Sequence, residues 1–469
     1  MSDDVWIGLD VGTQSARAFA VTGDGRVAGS AAVALHGRRD GARHEQDPRD
    51  WWDAVAAASR TALAAVAPGR VRGVATCATS GTMLLVDGDG EPLTPGLMYD
   101  DGRAGEQSAR LSEELGVAMP ASWALPKLRW LLDDRPRLAR GARLAHQADV
   151  VTRALAGQDV ASDSSHALKS GYDQLRERWP SLGVPDELLP HVVRSGTRVG
   201  EVCARAAART GIPAGTPIVA GMTDGCAAQI AAGALGPGDV NAVLGTTLVL
   251  KASSPDRIED RAHGVYSHRA PGGGWLPGGA SSSGAGVLPA AFPGRDLDEL
   301  GRAAAQHERT RVLAYPLVSR GERFPFAAPG AEAFMLGSPA GEGEHAAALM
   351  QGVALVERLC FAALERLGVP VAGEVSLTGG ATRNPRWSQL RADALGRSVR
   401  LPVQSESAFG MALLAAAAAS GEPLVDAARR MSHTDAVLEP RDAMRAHLDE
   451  QYERLAAELR RRGWLAGRA

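Results

Sequence analysis

The chain has 469 residues, 22% of them charged, and a formal net charge of -3. That length exceeds one hydrophobic core and implies two domains or more, while the lack of a basic surplus or basic run argues against a nucleic-acid partner. Cys77, Cys203, Cys226 and Cys360 lie far apart with no CxxC pair, and the longest obvious apolar run, Met411 to Ala419, is too short for a bilayer. A disulfide framework, a zinc site and a membrane partner are therefore not expected, and a cytoplasmic location is.

No signal peptide is expected, since the first residues lead straight into Val5-Trp-Ile-Gly-Leu-Asp10-Val-Gly-Thr-Gln14-Ser15. The near-continuous apolar run predicts a strand covered on both faces and ending in an acid, followed by a Gly-Thr turn and a second strand from Ala16 to Val21. Gly12 lets the backbone turn tightly, leaving Thr13, Gln14 and Ser15 at the strand mouth, where such a tip can cradle phosphate. Asp10 either meets a metal ion or polar substrate or merely caps the turn. A third strand is expected through Val27 to Leu35. Asp47 then caps a helix with Pro48 at its first position, running to about Val66.

Val71 to Thr76 and Met83 to Val86 read as strands, so the first half alternates strands and helices as α/β domains do. Asp101, at a strand end, serves equally as a hydroxyl acceptor or a helix cap. Helices follow to about Leu115, around Leu125 to Leu132, and from His146-Gln-Ala-Asp149 to Leu155. The polar stretch Ser162 to Asp173 has loop composition, and His166 and Lys169 within it read as solvated surface groups. In Gly221-Met-Thr-Asp224, an acid opens a helix, where free amides favour an ionised carboxylate; ordinary capping is the competing reading.

The second half repeats the first design. Asp239-Val-Asn-Ala-Val-Leu-Gly245-Thr246-Thr247-Leu-Val-Leu-Lys251 is again strand, Gly-Thr turn, strand, which suggests internal duplication and an ATP site built from two domains. Gly278 to Gly286 reads as a small-residue loop, and His345 to Leu367 as a long amphipathic helix. A strand at Glu374 to Thr378 ends in Gly379-Gly380, a junction where adenine could lie on the backbone, ahead of a helix near Asn384. Further helices begin at Glu406 and at about Asp442. No P-loop, GxGxxG, HExxH or GxSxG motif occurs.

In this order and spacing, Gly-Leu-Asp10-Val-Gly-Thr13, His44-Glu-Gln-Asp-Pro…Asp50-Trp-Trp52, Tyr99-Asp-Asp-Gly-Arg103, Gly221-Met-Thr-Asp224, Leu244-Gly-Thr-Thr247 and Gly379-Gly-Ala…Asn384 resemble the FGGY carbohydrate kinase family over almost the whole chain. The resemblance implies an α/β fold of two actin-like (ribonuclease H-like) ATPase domains flanking a deep nucleotide and sugar cleft. Residues 1–236 would form the sugar-binding side and 237–469 the nucleotide-binding side. His146-Gln-Ala-Asp149, Leu168 to Asp173, His263 to Arg269 with Gly278 to Ser281, and Gly321 to Pro325 are most similar to the D-ribulokinase and xylulose kinase-like members.

The resemblance further implies that ATP and Mg2+ are used on a small ketose, most simply D-ribulose, with D-xylulose or another polyol as the alternative. Asp224 would be the general base and Asp10 would position the sugar or hold magnesium. Gly12, Thr13, Gln14, Gly245, Thr246 and Thr247 would serve the phosphates. Gly379, Gly380, Asn384 and Trp387 would serve the adenosine. Where the D-ribulokinase-like proteins carry Asp-Gly-Thr-Ser, this chain has Thr76-Cys77-Ala78-Thr79; an acid and a glycine are absent, and Thr79 keeps a hydroxyl for the sugar. A reading of another class is a non-catalytic nucleotide-dependent binding protein on the actin-like fold. Monomer and homodimer both remain open.

Overall fold

The computed structural model describes residues 3–465 and divides into two compact units. In contrast to the contiguous halves expected at 236/237, the units interleave along the chain. The first takes residues up to Gly233, then His268–Gly273 and Gln404–His433; the second takes Ala234–Ser267, Gly274–Val403 and the chain from Thr434 onward.

The first unit is built on a six-stranded sheet in the order Arg198–Glu201, Pro217–Val219, Val71–Ala78, Val5–Val11, Ser15–Thr22, Val27–Ala34. Every residue of Val5–Val11 is buried, as its apolar run requires of a central strand. It pairs antiparallel with Ser15–Thr22 and parallel with Val71–Ala78, so that Asp10 stands beside Arg17 on one side and Cys77 on the other. The helix Pro48–Ala62 packs over Ser15–Thr22 and Val27–Ala34, with Asp47 capping the Arg49 amide as anticipated. It stops short of Val66, because bonds of the tighter three-residue kind take over beyond Leu63.

The helix Ser407–Ser420 lies against Val5–Val11 and Val71–Ala78. A side chain at Gly8 would put its first carbon 1.6 Å from the Ala408 carbonyl oxygen, so strand and helix touch backbone to backbone. The same helix packs against Asp224–Ala231, and ten of its residues, Ala408 to Ala417, are buried. Its alanine content thus has a packing cause: a helix buried on several sides is apolar all round, and only small residues allow such close approach.

The second unit carries a sheet in the order Trp275–Ser281, Leu248–Ala252, Val240–Leu244, Val375–Thr378, Val399–Pro402, Thr434–Leu438. Val240–Leu244 is antiparallel to its hairpin partner and parallel to Val375–Thr378. The wiring repeats that of the first sheet, down to a parallel neighbour and an antiparallel outermost strand beyond it. The duplication read from the two Gly-Thr turns is therefore a duplication of topology.

Two expectations change. Gly278 to Ser281 is strand rather than loop. The helix Glu342–Arg366 is long and apolar enough to cross a membrane by length and composition, yet it is buried in the core of the second unit and is not amphipathic.

Candidate active site

Asp10 sits at the end of the central strand and is 5% exposed. Burial, then the charge of Asp224, push its carboxyl up to about 7, against the opposing pull of Arg17 and Cys77. The Arg17 guanidinium is 3.9 Å from Asp10 and is held at 2.7 Å by Glu406. The Cys77 thiol lies 3.4 Å from the Leu9 carbonyl and 3.5 Å from Asp10 Oδ1. Burial and the carboxylates of Asp10 and Asp224 push that thiol up, so it stays protonated.

Asp224 is the first residue of the helix Asp224–Ala231, with Thr223 at the cap position in extended conformation. Its Oδ1 accepts the Gly225 amide at 2.7 Å, and its carbonyl accepts the Ser407 hydroxyl. Thr223 makes no capping bond; its hydroxyl instead meets Ser165 Oγ at 3.2 Å. A carboxylate at a helix start is stabilised by the unpaired amides there. Asp10 and Asp224 therefore form an interacting acidic pair, one sealed in the sheet and one partly open.

The first turn is anchored from below. Gln46 donates to the Thr13 carbonyl at 2.7 Å while accepting the Trp51 indole N–H. Gly12 closes the turn onto the Ser15 carbonyl at 3.0 Å, Leu35 donates to the Gln14 carbonyl, and the Gln14 side chain is exposed. Thr79 is 4% exposed; its amide and hydroxyl both donate to Gln147 Oε1, and its hydroxyl also meets Thr82. Nearby, Thr76 Oγ1, Ser80 Oγ and Gln147 Nε2 are buried without a protein partner. Orphaned polar atoms on one strand, its loop and the start of the helix Gln147–Ala156 suit a hydroxyl-rich ligand. Lys127, fully buried, holds that loop by donating to Gly81 and Met98 carbonyls at 2.7 Å each, and burial drops its ammonium to about 7.

In the second unit, the amides of Ala285 and Gly286 donate to the Gly245 and Thr246 carbonyls, clasping the second turn from behind. Thr246 is exposed and Thr247 half-buried. Gly379 has φ 90°, and an added carbon would lie 2.6 Å from the Leu244 carbonyl oxygen, so the fold itself demands glycine there. Gly380 differs: an added carbon would meet nothing within 4 Å. A glycine the protein does not need leaves an open backbone surface of the kind a flat base requires.

The adenosine set is only partly brought together. Asn384 caps the helix Pro385–Leu395 by accepting the Arg386 and Trp387 amides at 3.1 Å, which engages its carbonyl oxygen. Trp387 corrects the sequence expectation. It is 3% exposed, belongs to the hydrophobic core and donates its indole N–H to the Met350 carbonyl, so it offers no face to a nucleotide. Asp101 is neither an open acceptor nor a helix cap. It is fully buried and taken up by the His44 amide and Arg103. His166 is likewise fully buried, and Lys169 donates to the Ser80 carbonyl.

Residues assigned no role from the sequence complete the site: Arg17, Cys77, Gln147 and Glu406. Arg17 was recoverable, since a short turn after Asp10 puts it directly across the hairpin; the others come from distant segments. Among the described residues, no three His, Cys, Asp or Glu side chains gather into a metal cage. An ion bound by one or two carboxylates and completed by water and phosphate, the habit of magnesium, fits the Asp10 and Asp224 pair.

The N-terminal domain of the FGGY family of carbohydrate kinases matches residues 5–231, and its C-terminal domain matches residues 240–419. The chain belongs to the FGGY family, and it is a carbohydrate kinase rather than a non-catalytic binding protein. It is 31% identical to a xylulose kinase from Streptomyces coelicolor over 465 residues, covering 90% of each chain. It is 26% identical to the L-xylulose/3-keto-L-gulonate kinase of Escherichia coli, over 87% of each. Its fold matches the crystal structure of a xylulose kinase from Rhodospirillum rubrum with a TM-score of 0.87 at 25% identity, covering 97% of this chain and 98% of that one.

Proposed function

We propose that the chain transfers the γ-phosphoryl group of ATP to the terminal hydroxyl of a five-carbon ketose, with xylulose the leading substrate. The carrying observation is the acidic pair of Asp10, at the end of the first unit's central strand, and Asp224, at a helix start. Family membership and the names of the relatives support the rest, and those names favour xylulose over the D-ribulose suggested by the sequence motifs. Asp224 takes the proton from the attacking hydroxyl, and Asp10 orients the sugar. Thr79 acts by fixing Gln147, whose buried amide N–H groups are otherwise unpaired. Thr13 and Gln14 on one turn, and Gly245, Thr246 and Thr247 on the other, donate to phosphate oxygens. Gly379 and Gly380 carry the base, while Asn384 sets the helix behind it. Magnesium, held through Asp10, would supply charge neutralisation. Phosphoryl transfer needs little else, since its loose transition state is served by position and charge.

ADP release measured with D-xylulose, L-xylulose, D-ribulose and glycerol tests this. One xylulose isomer should stimulate turnover most. Greater stimulation by D-ribulose would overturn the sugar assignment, and no stimulation by any of the four would overturn the ketose kinase reading.

Two more results are expected. Because burial and the Asp224 charge push the Asp10 carboxyl up to about 7, kcat/KM for the sugar should fall on the acid side with a midpoint near that value as the carboxylate is protonated. A flat profile would remove Asp10 ionisation from the reaction. Gly380→Val should leave thermal stability unchanged, yet raise KM for ATP about tenfold, or ~1.4 kcal/mol. An unchanged KM would move the base elsewhere.

A further inference from the structure

We propose that His166 is a positioning residue for the transfer reaction, a buried imidazolium that pins the end of the Val71–Ala78 strand and so fixes the spacing of Asp10 and Asp224. This rests on the reading of those two carboxylates as the reacting pair. The His166 ring is fully buried, with Nδ1 2.6 Å from Asp163 Oδ2 and Nε2 3.2 Å from the Ala78 carbonyl oxygen. An ionised carboxylate and a carbonyl can only accept, so each ring nitrogen must carry a hydrogen and the ring is a cation. Asp163 makes a further bond, its Oδ1 accepting the backbone N–H of His166 at 2.9 Å and so capping the short turn Ser164–Ala167.

The charged groups around the ring agree. Burial opposes its charge, but Asp163 from its own segment, by charge and hydrogen bond, Asp149 from the helix Gln147–Ala156 and the Ala78 carbonyl together outweigh it, raising its pKa above the ordinary histidine value. The neighbouring ring is His146, with centroids 6.1 Å apart, itself tied to Asp149, Ser162 and Ser170. His268 reaches the adjacent Ser165 at 3.0 Å.

What this cation does follows from where it sits. Ala78 pairs in register with Val11, one step beyond the Asp10 and Cys77 pair, and it also bridges to Thr223. Ser165, next to His166, accepts the Thr223 amide at 3.2 Å. Two consecutive residues of one helical turn thus hold the residue after Cys77 and the residue before Asp224. If the ring loses a proton, either a lone pair faces the Ala78 carbonyl or Asp163 is left buried without its counter-charge, and the clamp opens. The sign follows from the raised pKa: the contribution is full below the unfolded value of about 6.5 and is lost as pH rises through the folded value.

The test uses the full chain with 15N-labelled histidine, the ring being assigned through its proximity to Ala78, so that the charge state is read on the unaltered protein. The expected result is one histidine with both nitrogens protonated at about pH 7.5. In His166→Gln, kcat should fall about tenfold or more while KM for ATP stays within about twofold. A neutral ring at that pH overturns the proposal whether or not the variant folds. A folded variant with unchanged kcat overturns it as well. Absence of sugar-stimulated turnover in the unaltered chain would instead sink the ketose reading and leave the charge state of the ring standing.

Discussion

Asp224→Asn should lower turnover by about 10²-fold or more while nucleotide binding stays nearly intact. The substitution keeps the size of the side chain, and its amide oxygen can still accept the Gly225 N–H that Asp224 accepts at 2.7 Å. The helix start therefore survives and only the capacity to take a proton is lost. A second consequence distinguishes a reacting acid from a structural one. Since the Asp224 charge is the second cause, after burial, of the raised Asp10 carboxyl, removing it should move the acid limb of the residual kcat/KM to lower pH. Turnover equal to that of the unaltered chain would take Asp224 out of the reaction. Turnover lost with the limb unmoved would separate it electrostatically from Asp10.

The largest expected effect on stability lies in the second unit. Arg391 and Glu357 are 1% and 0% exposed and form a two-pronged pair at 2.6 and 2.8 Å, and the same guanidinium donates to the Ala242 carbonyl at 3.1 Å. The pair thus joins the helix that follows Gly380, the long core helix and the central strand. Arg391→Met leaves Glu357 buried without its counter-charge and should destabilise this unit by about 3–5 kcal/mol, read as a lowered denaturant midpoint. Replacing both partners, Arg391→Met with Glu357→Leu, should recover most of that loss, because two apolar side chains have no charge to desolvate. A double variant as weak as the single one would show that the ion pair is not the source.

Elements whose cause is local were legible in the sequence. Each Gly-Thr hairpin is marked by its apolar runs and turn residues, and the Asp47-Pro48 helix start by a cap that acts within two residues. Asp224 was placed at a helix start for the same reason. What escaped depends on segments far away in the chain. The polar run Ser162 to Asp173 has the composition of a solvated loop, yet His166 is sealed because Asp163 and Ala78 satisfy both ring nitrogens. Asp101 looked available because its partner His44 lies 57 residues upstream. Trp387 was assigned to the adenosine, but its neighbour Met350 comes from another helix. Nothing within 404–433 announces that it joins the first unit; bare backbone at Gly8 and Gly25 makes room for it.

The two sheets share their wiring, and aligning Gly12 with Gly245 sets Asp10 opposite Val243. One scaffold, drawn twice, is thus acidic at one mouth and aliphatic at the other. Strand order alone cannot announce which lobe is acidic; at these matched positions the difference is written in a single side chain. An engineer wishing to exchange the lobes' duties would begin with Val243→Asp and Asp10→Val, leaving the architecture untouched.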